Sequence, residues 1–442
     1  MKLLTNNSPQ EQSYLTTFIL VSICFVLWGF TNDITGVMVS AFSRIFLLNM
    51  TEGALINVAN FMGYLVLAIP IAIFTQRYTY KSGVLLSLGI YAGGILLLIP
   101  AKMIGVFQGF LLAYFIMTCG SAALETCCHP LIYKMGDERK GINRLNLAQA
   151  FNALGAVIGI YVASKAVTEK LSPMPASMRA ELLPAQFNIL KMHDLDTVVQ
   201  PYLYVSAIII VLLVLIRVST FVVHQEKKSS EMPLEAFRRL LCIRNYREGV
   251  IAEFFYIGAQ ICLFTFMLVY ARQLFIEEGM GESAADVVAG HYNIIAFIIY
   301  ATMRFVCTWL LNFIKPGRLL SIMAIIAITA LTGSIIFTNR NGLYCLILAC
   351  GALSMMFPTI YGMSLRGVGN DVKYASAGLT MTVFAGAVLP PLQTAIVQWD
   401  IELWGIPAIN LSFIVPIVCL IVVAYYGHTG YVRHNITHNY QS

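Results

Sequence analysis

Apolar stretches of similar length recur along the whole chain, separated by polar breaks that are mostly short. They run approximately over residues 14–43, 52–75, 82–101, 105–133, 145–168, 201–223, 248–271, 286–314, 318–337, 342–365, 374–398 and 404–427. Each is near the roughly 20 residues that cross a hydrocarbon layer about 30 Å thick, at about 1.5 Å rise per helical residue. The pattern predicts an all-α membrane protein with twelve transmembrane helices.

Two of the polar breaks are long. His224 to Tyr246 is polar and basic and divides six spans from six, which predicts bundles over residues 1–223 and 247–442 joined by a cytoplasmic linker at 224–246. Within it, Glu231 to Leu241 reads as a short amphipathic helix on the membrane surface. The connection from about Glu169 to Gln200, flanked by Pro173, Pro175, Pro184 and Pro201, is long for a loop and predicts a partly helical cap. The halving is echoed in a repeat. Pro130-Leu-Ile-Tyr-Lys-Met closes the fourth span and Pro358-Thr-Ile-Tyr-Gly-Met the tenth, each downstream of a Cys-Gly pair, Cys119-Gly120 and Cys350-Gly351. A parallel repeat of two six-helix units places a solute site between the halves near the bilayer midplane, as in major facilitator transporters.

Composition agrees with the pattern. Of 442 residues, 58% are hydrophobic and 11% charged, with a mean hydropathy of +0.76. A soluble domain carries about 25% charged residues. Eighteen Lys and Arg fall in the terminal-side loops against eight on the other side, which places both termini in the cytoplasm. This asymmetry accounts for the net charge of +6, so no nucleic-acid partner is expected. The first apolar run is too long for a secretory signal and lacks a small-residue cleavage site, so it is expected to remain as helix one. Most of the ten cysteines lie inside apolar runs, where a thiol acts as a small hydrophobe. Cys127-Cys128-His129 has a metal-site look, but no second cluster supplies further ligands and no metal is expected. No G-x-x-x-x-G-K-[ST] loop and no H-E-x-x-H or G-x-S-x-G motif is present, so neither an enzyme nor a cofactor is expected.

Ionisable groups inside spans are the first functional candidates, because each costs about 2.5–3.5 kcal/mol at the helix centre. Asp33 lies eleven residues before Arg44, and Glu125 nine before Lys134. At about 1.5 Å per residue, both fall near mid-bilayer. A carboxyl in apolar surroundings has its pKa raised by desolvation, so it can load and release a proton near neutral pH. Glu125 is the leading candidate for that role, with a structural hydrogen bond as the alternative. Arg304 is equally deep and reads either as a substrate contact or as half of a structural ion pair. Glu253 lies nearer the cytoplasmic rim and reads as a gate or interdomain contact.

Amides form the second set. Gln149 and Asn152, at i and i+3, share a face of span five. Tyr256-Ile-Gly-Ala-Gln260 repeats the theme on span seven. Amides fork onto hydroxyl pairs and aromatic faces cover C–H surfaces, which suits a sugar. The same residues also serve as interhelical hydrogen bonds, at about 0.6 kcal/mol each. Gly155, Gly159 and Gly258 read as sites of close helix packing.

Several segments together carry a resemblance. They are Leu27-Trp28-Gly29-Phe30 with Asn32-Asp33, Leu124-Glu125-Thr126 followed by Pro130, and Arg144-Leu-Asn-Leu-Ala-Gln-Ala-Phe-Asn152. Tyr256-Ile-Gly-Ala-Gln260, Arg304-Phe with Thr308-Trp309-Leu310, and Phe357-Pro-Thr-Ile360 through Asp371-Val-Lys-Tyr374 complete them, in order over nearly the whole chain. The chain resembles the fucose–galactose–glucose:proton symporters of the major facilitator superfamily, and within them the bacterial L-fucose permeases. The resemblance implies a major facilitator fold of two six-helix bundles and a secondary active transporter of the bacterial inner membrane. It would import L-fucose or a related hexose with protons by alternating access. Glu125 corresponds to the proton-coupling glutamate of helix four, and Gln149 and Asn152 to the sugar-facing amides of helix five. Asn32, Tyr256, Gln260, Arg304 and Phe357 complete the expected sugar-binding set, with Asp33 binding sugar or relaying the proton. Two positions depart from the family pattern. Gly36 stands where it has its helix-one acid, the acid here being Asp33, about 4.5 Å away along the axis. His129 stands where an Asn is more usual. A glucose/galactose importer of the same branch is the alternative within transport. The alternative outside it is a transporter-like sugar sensor, which would normally add a larger cytoplasmic domain than the sixteen residues after Tyr426. The expected partners are a small sugar, protons and the lipid bilayer, with the chain acting as a monomer.

Overall fold

The computed structural model describes residues 9–48, 50–137, 140–172, 174, 176–219, 221, 233–399 and 405–439. The regular elements among them are all helical. Twelve helical segments are long and apolar enough to cross a membrane, so the chain is a multi-pass, all-α membrane protein. Its helices are apolar on both sides, as lipid requires. On α18 (Ile414–Asn439), Ile417, Leu420 and Val423 are buried while Ile414, Val418, Ile421 and Tyr425 face outward.

Contacts group the chain into two compact units, Met1–Glu138 with Leu154–Glu231 and Arg139–Ala153 with Met232–Ser442. The first holds α1 (Pro9–Ile45), α2 (Met50–Arg77), α3 (Tyr80–Leu96), α4 (Leu98–Ile104), α5 (Phe107–Lys134), the later turns of α6 (Gly141–Val162), α7 (Ala176–Ala180) and α8 (Pro184–Val218). Its centre is α5, on which every residue from Met117 to Tyr133 is buried. The later turns of α6 lie so close to α1 that a Cβ on Gly155 would stand 2.1 Å from the Val26 carbonyl oxygen, and one on Gly159 2.5 Å from that of Phe30. These are close-packing glycines, as the sequence suggested.

The sixth span begins earlier than its apolar run. α8 opens on Pro184, whose missing N–H costs nothing in a first turn, and continues through Pro201. Residues 184–200, expected in a connection, are thus a helical extension of the span. The stretch before it is folded by a buried ion pair, Arg179 Nη2 to Asp194 Oδ2 at 2.6 Å. Arg179 Nε also donates to the Met174 carbonyl at 2.8 Å, and Asp194 Oδ1 accepts from the Ser172 N–H at 3.1 Å. Pro173 and Pro175 lie outside the described residues.

The second unit holds the first turns of α6 and α9 (Pro233–Cys242), α10 (Arg244–Glu277), α11 (Glu282–Leu310), α12 (Pro316–Ile336), α13 (Arg340–Leu353), α14 (Met356–Ser364), α15 (Val372–Met381), α16 (Ala385–Gln398), α17 (Ala408–Leu411) and α18. The predicted surface helix is α9, with Glu231 and Met232 outside the described residues. It buries Ala236 and Leu240, and Arg239 forks onto Asp371 at 3.0 and 2.9 Å. Gly258 of α10 packs on α16, where an added Cβ would lie 1.8 Å from Leu389 Cδ1. Residues 349–365, across α13 and α14, are buried throughout. The repeated Pro-x-Ile-Tyr-x-Met segments therefore close the enclosed helix of each unit, α5 in one and α14 in the other.

The tenth span is not one helix. It breaks between Leu353 and Met356, with the Ser354 N–H reaching only to the Gly351 carbonyl at 3.2 Å. The eleventh span has a similar irregularity, a 3-10 turn at Thr382–Phe384 between α15 and α16. Breaks inside spans leave carbonyls that need partners from elsewhere in the protein. At the first break those partners are candidate site residues.

Candidate functional site

In the first unit the site is built on Glu125, in the middle of the buried stretch of α5. Among the described residues, neither carboxyl oxygen has a hydrogen-bond partner. His129, one turn on and also fully buried, places Nδ1 3.6 Å from Oε1. The imidazole is fenced by Phe25 and Trp28 of α1, with ring centroids 5.2 and 6.1 Å away. A small pocket opens beside the carboxyl, lined by Cys24, Phe25, Trp28, Leu124, Glu125 and Cys128. Tyr64 of α2 gathers the helix-one polar groups: its hydroxyl accepts from Trp28 Nε1 at 3.0 Å and from Asn32 Nδ2 at 3.5 Å. The side chain of Asp33 lies outside the described residues. Cys127 turns away to Thr75 Oγ1 at 3.3 Å while Cys128 lines the cavity, so the Cys-Cys-His run diverges instead of converging. Among the described residues no group of three His, Cys, Asp or Glu side chains converges as metal ligands.

In the second unit the site centres on Arg304 of α11, which is buried. Its Nε donates to the Ser354 carbonyl at 2.6 Å, and Nη1 donates to the Gln149 carbonyl at 2.8 Å and to Gln149 Oε1 at 3.3 Å. Nη2 donates to the Tyr300 hydroxyl, whose ring centroid lies 4.7 Å from the guanidinium carbon. Among the described residues no carboxylate lies within 4 Å of Arg304, so the cation is held by carbonyls and a phenol rather than by an ion pair. The Tyr300 hydroxyl also accepts from Gln260 Nε2 at 3.1 Å. Tyr256 donates to the Leu353 carbonyl at 3.1 Å and packs against Phe357 at 6.4 Å between centroids. The break between α13 and α14 thus has its freed carbonyls satisfied by Arg304 and Tyr256.

The second unit therefore brings together Gln149, Tyr256, Gln260, Arg304 and Phe357, and the first unit brings Asn32 near Tyr64 and sets Glu125 beside His129. Asn152 is half-buried on α6, one turn after Gln149. Tyr300 and Tyr64, the hydroxyls at the hub of each cluster, were missed from sequence. Tyr300 stands four residues before Arg304, a spacing that could have revealed it. Tyr64 is one of 22 tyrosines and carries no local signal. Asn146 of α6, within the Arg144–Asn152 segment, is buried and donates to Thr359 Oγ1 at 3.1 Å. Chemically, the first unit offers a buried carboxyl with no hydrogen-bond partner among the described residues. The second offers amide and hydroxyl groups that could exchange their present partners for those of a polyhydroxyl ligand.

Comparison with known proteins identifies the family. The Major Facilitator Superfamily matches residues 21–391. The L-fucose-proton symporter of Haemophilus influenzae is 37% identical over 428 residues, covering 96% of this chain and 98% of the relative. That of Escherichia coli is 30% identical over 422 residues, covering 94% and 93%. The crystal structure of the E. coli fucose:proton symporter FucP superposes with a TM-score of 0.84 at 27% identity, covering 95% of this chain and 99% of that one. With near full-length matches in both sequence and fold, this chain belongs to the major facilitator superfamily, in the branch that holds the L-fucose–proton symporters.

Proposed function

We propose that this protein is a secondary active transporter, not an enzyme, that imports L-fucose or a related hexose with protons by alternating access. The observation that carries the reading is the Glu125 carboxyl, buried in the centre of α5 with neither oxygen hydrogen-bonded among the described residues, in a chain alike over nearly its whole length to fucose–proton symporters. Glu125 carries the proton, and Asp33 assists by relay or sugar contact. Gln149, Asn152 and Gln260 hold sugar hydroxyls, with Asn32, Tyr256, Phe357 and Arg304 around them. Residues 1–223 and 247–442 act as two six-helix halves joined by 224–246, and rock about the sugar. The excess of Lys and Arg in the terminal-side loops supports cytoplasmic termini in a bacterial inner membrane. The protein works as a monomer in the bilayer.

The test is Glu125→Gln in proteoliposomes with labelled L-fucose. The variant is expected to lose gradient-driven accumulation and to keep sugar-for-sugar exchange, because exchange needs no net proton movement. Full accumulation by the variant would overturn the assignment. A panel of labelled fucose, galactose and glucose, with and without an inward proton gradient, decides the sugar.

A further inference from the structure

His129 stands where the family pattern more often has Asn, and the fold puts it against the acid read as the proton carrier, Glu125. Glu125 and His129 are four residues apart on α5 and so share a face. Their 3.6 Å separation is a few tenths of an ångström beyond a hydrogen bond, a gap that a small rotation of the carboxyl closes. Both side chains are fully buried, and Phe25 and Trp28 confine the imidazole from α1. Glu125 also borders a small pocket with Cys24 and Cys128.

We propose that the transported proton is held by Glu125 and His129 as a pair, rather than by the Glu125 carboxyl alone. The proposal rests on the reading of Glu125 as the proton carrier. Loading forms one bond. Either Glu125 gains an O–H that donates to Nδ1, or Nδ1 gains an N–H that donates to the carboxylate, with the other ring nitrogen keeping its own hydrogen. The loaded pair is net neutral in both forms, and the unloaded pair carries one negative charge. No other reagent is needed. An unloaded, unbonded carboxylate in this dry position is costly, so the pair favours release only where water reaches it.

Among the described residues, the other titratable groups facing the carboxyl are the Tyr64 hydroxyl of α2, the Cys24 thiol of α1 and the Cys128 thiol of α5 itself. α3 packs Tyr91 against α5 at Gly120. Phenols and thiols ordinarily titrate above neutrality. Asp33 of α1 has its side chain outside the described residues. Among the described residues, His129 is the one basic group within 4 Å of the Glu125 carboxylate.

An amide at position 129 can still hydrogen-bond but cannot take a proton, so it removes one of the two loaded forms. In proteoliposomes, His129→Asn is expected to keep L-fucose exchange at acid pH. The alkaline limb of its gradient-driven uptake should move toward acid by about one pH unit, which is about tenfold at the alkaline end. A profile superimposable on the unmodified protein would overturn the pair. Glu125→Gln run in parallel separates the two readings. Loss of accumulation there with an unshifted His129→Asn profile rejects the pair alone, whereas full accumulation by Glu125→Gln rejects the carrier and the pair together. Infrared difference spectra of the unmodified protein, titrated with pH, test the same point should His129→Asn fail to fold. Carboxyl and imidazole bands changing with one midpoint support the pair, and an imidazole silent through the carboxyl transition rejects it.

Discussion

Arg304 reaches Gln149 twice, donating to its backbone carbonyl at 2.8 Å and to its side-chain oxygen at 3.3 Å. The same guanidinium donates to the Ser354 carbonyl at 2.6 Å. One planar fork thereby ties the first turns of α6 to the break between α13 and α14. It uses carbonyl oxygens, which can be exchanged for other oxygens at little electrostatic cost, where a carboxylate would hold the cation fast.

Lysine cannot reproduce that fork, because its ammonium is a compact point charge with no planar array of donors. Arg304→Lys is expected to lower L-fucose uptake at least about tenfold while leaving the protein folded. Arg304→Met removes every donor and leaves the buried Ser354 carbonyl, which Pro358 four residues on has no N–H to serve, without its guanidinium partner, at about 1–3 kcal/mol. Its melting temperature should fall clearly below that of the lysine variant. Thermal unfolding in detergent alongside uptake checks both, and a methionine variant as stable as the parent would rule out the clasp.

Gln149→Ala keeps the backbone bond to Arg304 and removes only the amide. If that amide serves sugar hydroxyls, L-fucose binding should weaken roughly five- to hundredfold at unchanged melting temperature, from about 1–3 kcal/mol of lost pairing. Asn152→Ala is expected to behave alike. Calorimetric titration on the purified variants decides it: a stability loss with no separable binding defect would assign the amides to helix packing.

Gly155 and Gly89 make a controlled pair. A Cβ at Gly155 would stand 2.1 Å from the Val26 carbonyl oxygen, whereas one at Gly89 meets nothing within 4 Å. Gly155→Ala is expected to destabilise by about 1–3 kcal/mol through forced separation of α6 from α1. Gly89→Ala should be neutral or stabilise by about 0.5–1 kcal/mol, because alanine is the better helix former. Melting temperatures of the two variants test the contrast, and equal behaviour would show that α6 and α1 can separate without penalty.

Asp33 and Gly36 test how the helix-one acid works. They lie about one turn apart on one face. Asp33→Asn is expected to abolish gradient-driven uptake, and adding Gly36→Asp to recover a measurable part of it. Normal transport by Asp33→Asn would remove the helix-one acid from the mechanism and leave proton coupling to Glu125.

The twelve spans were legible because lipid admits only runs of about 20 apolar residues, which is a one-dimensional demand. Glu125 and Arg304 were legible for the converse reason: an ionisable group inside such a run is too costly to be idle. The start of α8 was not legible. Residues 184–200 are polar enough to read as a connection, and hydropathy marks where the membrane ends, not where a helix does.

What the tertiary structure alone decided is which polar groups meet. The break at Ser354 lies four residues before Pro358, whose missing N–H frees the Ser354 carbonyl, but the partners that satisfy the break, Arg304 of α11 and Tyr256 of α10, come from distant parts of the chain. Tyr300 stands between Gln260 and Arg304, a role its spacing from Arg304 permits but does not fix, and Tyr64 stands between Trp28 and Asn32 through a hydroxyl indistinguishable in the sequence from those of other tyrosines. His129 shares a face with Glu125 by spacing alone, but Phe25 and Trp28, which confine its ring, come from another helix. The apolar alphabet states how much of each helix lipid accepts. Side-chain pairing between helices depends on their rotation and axial register, which are set only when all of them pack together.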